Sequence, residues 1–112
     1  ENYSASSQAR LQLMMQYIHQ KSAYNISLSD IADQAKVSKS TALNLFQRYL
    51  GISPVTYLVN YRLQEAAKLL ASTEKKVTVI SKDTGFDSVD YFCKAFKKYY
   101  KLTPTEYRKK AQ

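Results

Sequence analysis

The strings ALNLFQRYLGISPVTY (residues 42–57) and FCKAFKKYYKLTPTEY (residues 92–107) carry one pattern twice. Phe46 and Phe96, Tyr49 and Tyr99, Pro54 and Pro104, and Tyr57 and Tyr107 each stand 50 residues apart. Upstream the offset is 49: Leu28 aligns with Val77, Ile31 with Ile80, and Val37 with Phe86. One residue is therefore added in the second copy, near Asp87 and Ser88, where a turn tolerates insertion. Self-similarity at a fixed period marks a duplicated supersecondary unit. Each copy reads as a short helix, a tight turn, a longer helix, then a cap, a proline and a tyrosine, which is the helix-turn-helix plan.

Helical spacing runs through both copies. Ala42, Leu45, Phe46 and Tyr49 share one face, as do Phe92, Ala95, Phe96 and Tyr99, and both sets read as core. Small and large members exchange places, Ala42 for Phe92 and Leu45 for Ala95, so the summed volume is roughly kept. Ser53-Pro54 and Thr103-Pro104 are helix starts, a capping side chain followed by proline at the first helical position. From Pro54 to about Ala71, Val59, Leu63, Ala66 and Leu70 form one stripe of a connecting helix roughly 27 Å long. Leu11, Met14, Met15 and Ile18 mark an earlier helix. Ser29 is expected to cap a short helix bearing Ile31, Ala32 and Ala35, and Thr78 or Val79 to open another through Ile80. The run Val77-Thr78-Val79-Ile80 is the one strand-like stretch. The expected fold is all-α, with two helix-turn-helix subdomains joined by a long central helix and about seven helices in all. The expected division is a linker or disordered start at 1–7, a first subdomain at 8–52, the connecting helix at 53–72, a second subdomain at 73–110 and a tail at 111–112.

Composition narrows the function. The 112 residues include 17 Lys plus Arg against 9 Asp plus Glu, a formal net charge of +8. Residues 1–72 hold 7 basic and 4 acidic side chains, and residues 73–112 hold 10 and 5. A basic excess favours a polyanionic partner, nucleic acid first and an anionic membrane surface second, with a solvated lysine face as the plain alternative. No apolar run approaches the roughly 18 residues of a membrane span. Two glycines and two prolines are too few for a turn-rich β-sandwich. The single cysteine, Cys93, excludes an internal disulfide framework and a Cys-rich zinc site. The chain starts at Glu1 without a secretory apolar segment, so a piece of a longer, cytoplasmic protein is expected. No Gly-rich phosphate loop, zinc-type histidine pair or nucleophile elbow is present, so neither catalysis nor a cofactor or metal is expected.

What the duplicated unit could do depends on its outward residues. A helix fits the major groove of B-DNA, where polar side chains meet base edges. On the first long helix the outward set is Lys39, Ser40, Leu43, Asn44 and Gln47. On the second it is Val89, Asp90, Cys93, Lys94 and Lys97. Asn44 or Gln47 suits adenine, Lys94 suits guanine, Leu43 and Val89 suit a thymine methyl, and Asp90 can accept from a cytosine amine. Lys97, Lys98, Arg108, Lys109 and Lys110, with Ser38 and Ser88, suit phosphate, which sets register and affinity without specifying sequence. Half-sites one DNA turn apart are about 34 Å apart, so a stiff connector could hold both helices in successive major grooves. The competing reading is a basic helical module that binds an acidic protein or nucleic acid without sequence specificity.

Other residues read more plainly. Tyr57 and Tyr107 are either core with a satisfied hydroxyl or phosphate contacts. Arg62 either pairs with an acid or reaches phosphate. His19 reads as a surface or hydrogen-bonded histidine rather than a metal ligand. Cys93 lacks a histidine partner and reads as a groove contact rather than a nucleophile. Lys75-Lys76 read as solvated loop, and Glu65 with Lys68 as an i, i+3 surface pair.

The sequence resembles the DNA-binding domain of AraC/XylS-type transcription regulators over about residues 8 to 110. The second copy carries most of the likeness: Ile80, Thr84-Gly85-Phe86, Tyr91-Phe92, Phe96-Lys97-Lys98, Thr103-Pro104 and Tyr107-Arg108. The first adds Leu28, Ile31-Ala32, Ser38, Leu45-Phe46, Gly51, Ser53-Pro54, Tyr57, Arg62 and Ala66 to Leu70. The resemblance implies two helix-turn-helix units joined by a long helix. It places Ser40, Leu43 and Asn44, and Val89, Asp90, Cys93 and Lys94, at base-facing positions. It further implies an activator working with RNA polymerase, with a sensor or dimerisation domain elsewhere. The sequence departs from the pattern at Lys36, where Gly85 stands in the second copy, at Lys101, where Gly51 stands in the first, and at Ser81, where alanine is usual.

Overall fold

In the computed structural model, the described residues, 3–112, form seven α-helices and no strand. They are α1 (Tyr3–Lys21), α2 (Leu28–Asp33), α3 (Lys39–Leu50), α4 (Pro54–Ser72), α5 (Val77–Asp83), α6 (Val89–Tyr100) and α7 (Pro104–Ala111). The chain divides into two compact units, Glu1–Val59 and Asn60–Gln112, with the boundary inside α4. Helix α1 begins at Tyr3, inside the stretch 1–7 expected as a linker, and Ser7 is buried. The rest of that expectation, on Glu1 and Asn2, lies outside the described residues. At the other end, residues 111 and 112 do not form a loose tail, because Ala111 closes α7 and the Gln112 amide donates to Leu70 O at 3.2 Å.

In unit 1, α1 packs on α2 and α3. Leu11, Met14 and Ile18 from α1 meet Ile31, Ala32, Ala42, Leu45 and Phe46, all buried. Met15, expected on the same stripe, is only half-buried. Ser27, not Ser29, caps α2: its hydroxyl accepts from the Asp30 amide at 3.1 Å, and the Asp30 carboxylate accepts from the Ser27 amide at 2.8 Å. This reciprocal box satisfies two N–H groups that a helix start otherwise leaves unpaired. A cap on Ser29 would forfeit it.

In unit 2, α6 packs on α5 and on α7. Phe86, Phe92 and Phe96 are buried, with ring centroids 5.0 Å apart for the first pair and 5.7 Å for the second. The strand-like run Val77–Ile80 is helical. β-Branched residues cost a helix only about 0.5 kcal/mol each, and Ile80 is fully buried in return. Helix α5 has no side-chain cap at Lys76. At its other end the buried Thr84 hydroxyl donates to Ile80 O at 2.8 Å.

The added residue in the second copy can be placed. The positive-φ turn residues Lys36 (φ 55°) and Gly85 (φ 104°) are 49 apart, and the helix caps Ser38 and Ser88 are 50 apart. The insertion therefore lies between Gly85 and Ser88, beside the buried Phe86, and Asp87 is its exposed member. Beyond it the copies stay in step: α3 and α6 both run 12 residues and both end in a left-handed residue, Gly51 (φ 72°) and Lys101 (φ 67°).

Lys36 and Lys101 hold a conformation that disfavours a Cβ by about 1–2 kcal/mol. Glycine at either place relieves that strain but adds freedom to the unfolded chain worth about 0.5–1 kcal/mol. Lys36→Gly and Lys101→Gly should each stabilise by about 0.5–1 kcal/mol, seen as a higher urea midpoint at unchanged slope. A lower midpoint for either would mean that the lysine side chain stabilises more than its backbone strain costs.

Candidate nucleic-acid interface

Helices α3 and α6 are amphipathic, with their apolar sides buried in their own units. Ser38 and Ser88 start them, each hydroxyl accepting from the amide three residues on, Thr41 and Tyr91, at 3.1 Å. This fixes which residues face out. Lys39, Ser40, Leu43, Asn44 and Gln47 on α3 are all exposed. So are Val89, Asp90 and Lys94 on α6, while Cys93 is half-buried. Burial, and then the nearby Asp90 carboxylate, push the Cys93 thiol above its ordinary range, which disfavours the thiolate and any nucleophilic role.

The expected phosphate set is placed less uniformly. Lys97, Lys98, Lys109 and Lys110 are exposed. Lys97 faces Glu106 at 3.9 Å across an exposed pair, a contact that competes weakly with solvent or a phosphate. The Ser38 hydroxyl is engaged locally on both sides, accepting from the Thr41 amide and lying 3.1 Å from Thr41 Oγ1 as donor. Arg108 departs most from the expectation. It is half-buried, its Nε donating to Leu70 O at 3.1 Å and a terminal nitrogen to Thr73 O at 3.0 Å. These carbonyls stand at the end of α4, where the last turn of a helix lacks internal donors. Arg108 thus caps α4 in this structure, a use that sequence spacing could not reveal.

The tyrosines separate by environment. Tyr57 and Tyr107 lie edge-on to Phe46 and Phe96, with centroids 5.7 and 5.4 Å apart, so both copies keep the same aromatic pair. Tyr57 also bonds through its hydroxyl to His19 Nε2 at 2.7 Å, which gives that histidine a structural partner. Tyr99, expected inside, is 40% exposed and accepts from Gln64 Nε2 at 2.9 Å. Tyr100 packs in its stead, 4.7 Å from Phe96 and 5.1 Å from Tyr107. Burial and its tyrosine neighbours push the Tyr100 hydroxyl up to about 12. The Tyr100 ring packs on its aromatic neighbours, while Tyr99 keeps its hydrogen-bonded polar end outside.

Arg62 on α4 sits 6.0 Å from the Phe86 ring centre. Burial lowers its basicity, against the opposing pull of Asp87 and Tyr91. The Glu65–Lys68 pair forms at 2.9 Å, and Lys75, expected in solvated loop, pairs with Asp83 at 3.1 Å. Beside Val89 a cleft of about 330 Å³ is lined by Thr78, Ser81, Lys82, Phe86 and Asp87. Lys82 and Thr78 are exposed at its edge. Neither stands out in the sequence, because α5 is too short for its outward face to show a period.

Among the described residues, no helix is long and apolar enough to cross a membrane. The family model for a helix-turn-helix domain matches residues 31–110. An uncharacterized HTH-type transcriptional regulator of Haemophilus influenzae is 39% identical over 82 residues, 73% of this chain and 28% of that protein. The uncharacterized HTH-type regulator YdeC of Bacillus subtilis is 35% identical over 89% of this chain and 34% of its own length. The chain thus spans about a third of the length of these curated relatives. A transcriptional regulator structure from Chromobacterium violaceum, described as having an AraC-type DNA-binding domain, superposes with TM-score 0.89 at 30% identity, covering 96% of each chain. With its duplicated, capped helix pairs and these relatives, the chain belongs to the AraC-type helix-turn-helix family.

Proposed function

We propose that this chain binds double-stranded DNA sequence-specifically in transcription regulation, with α3 and α6 as its reading helices in successive major grooves. The observation that carries the proposal is the exposure, on two capped helices of equal length and equal sequence register, of side chains able to pair with base edges. Lys39, Ser40, Leu43, Asn44 and Gln47 would serve α3, and Val89, Asp90, Cys93 and Lys94 would serve α6. Lys97, Lys98, Lys109 and the Ser88 hydroxyl would meet phosphate, with Lys82 and Thr78 added from α5, since the first helix of such a unit crosses the backbone. Ser38 and Arg108 join them only by giving up the local bonds described above. Through the family likeness, we read the chain as the output module of a longer regulator, an activator with RNA polymerase as its downstream partner and a sensing or dimerising segment elsewhere.

Selection from a random duplex pool, followed by footprinting, tests this reading. A selected site protected in two grooves one turn apart is the expected result, and binding that ignores sequence would reject it. Lys94→Ala should weaken the selected duplex about tenfold and random duplex much less. Lys98→Ala should weaken both alike and reduce the salt slope by about one.

A further inference from the structure

Asp90 is the anomaly of this surface: an acid in the first turn of a reading helix, in a chain of net charge +8. It is exposed, and none of the ion pairs among the described residues includes it. Lys94 stands one turn on, also exposed, and the two heads are not joined although i, i+4 spacing would allow it. At the 50-residue offset, α3 carries Ser40 and Asn44 in these two places. One copy therefore presents an acid and an ammonium where the other presents a hydroxyl and an amide. Helix-dipole stabilisation of a first-turn acid gives Asp90 a structural use worth about 0.3–1 kcal/mol. The first copy is built without one, since its first turn holds no acid.

A carboxylate only accepts hydrogen bonds. In the major groove, guanine and thymine present acceptors to it, as does every phosphate, and each such encounter strips water from a charge without compensation. Cytosine presents its N4 amine. Adenine presents an amine beside the acceptor N7, which repels the second carboxylate oxygen. Lys94 lies about 6 Å further along the helix axis, within two base-pair steps, and its ammonium matches guanine O6 and N7.

Building on the proposed DNA-reading role, we infer that Asp90 is the principal selectivity residue of α6: it requires cytosine beneath the first turn, beside a guanine taken by Lys94, and penalises other duplex. The two halves of the target then differ in kind. At the two matched places, α3 offers the neutral Ser40 and Asn44, the latter suited to adenine, and α6 offers paired opposite charges.

The test is selection from a random duplex pool with the 112-residue chain and with Asp90→Ser and Asp90→Asn, each checked for an unchanged helical melting profile. The original chain should select one invariant cytosine in one half-site. Asp90→Ser should lose that preference and bind random duplex several-fold more tightly, so that the ratio of specific to random affinity falls about tenfold. Asp90→Asn should exchange cytosine for adenine, whose N6 and N7 an amide can pair with together. A selected motif left identical in both variants, with the affinity ratio within twofold, overturns the inference and leaves the proposed function standing. Failure of the original chain to select any motif overturns both.

Discussion

Phe96→Ala should destabilise unit 2 by about 3–5 kcal/mol. The Phe96 ring is fully buried and contacts three others, Phe92, Tyr100 and Tyr107, at 5.7, 4.7 and 5.4 Å between centroids. Truncation removes apolar area from the core and leaves a cavity that fixed aromatic neighbours collapse into only partly. Small domains have only about 5–15 kcal/mol in total, so this loss is a large fraction. Urea unfolding and near-ultraviolet circular dichroism of the tyrosines should both register it. Phe96→Leu, which keeps most of the volume, should cost much less. An unchanged midpoint for Phe96→Ala would show that the inward face of α6 is wrongly assigned.

Arg108→Ala should cost about 2–3 kcal/mol, since hydrogen bonds to a charged group contribute about 1.5–3 kcal/mol. It removes both guanidinium bonds to the carbonyls of Leu70 and Thr73. The Gln112 amide, 3.2 and 3.4 Å from the same two oxygens, softens the loss without replacing the charge. The salt dependence of binding to random duplex separates this role from a phosphate contact. A capping Arg108 leaves the slope unchanged while the melting temperature falls. A phosphate-bound Arg108 lowers the slope by about one with stability nearly constant. The second pattern would return Arg108 to the phosphate set. Arg108→Lys should recover little, because a single ammonium cannot span two carbonyls as a planar fork does.

The candidate site was legible in the sequence to the extent that helical period decides it. Phe46 and Phe96 mark the inner faces of α3 and α6, and every residue read as outward is exposed except the half-buried Cys93. The phosphate set was less legible. Lysine and arginine side chains are long, and a basic side chain can end on solvent, as that of Lys98 does, or on a carbonyl, as that of Arg108 does. Which one occurs depends on the carbonyls within reach, and those belong to residues 35 or more positions away.

The residue pattern alone determined the duplication, the number and kind of elements, and the starts of α4 and α7. These rest on local chemistry: helical period, serine or threonine caps, a proline that is comfortable only at a first turn, and an aromatic pair repeated in register. Only the tertiary structure decided that Ser27 rather than Ser29 caps α2, that α5 opens at Val77 rather than at Thr78 or Val79, that Tyr100 rather than Tyr99 packs inside, and that Arg108 and Gln112 close α4. The reason is the same in each case. Local preferences differ by a kilocalorie per mole or less among neighbouring choices, so burial and distant hydrogen-bond partners, invisible in a linear string, select among them.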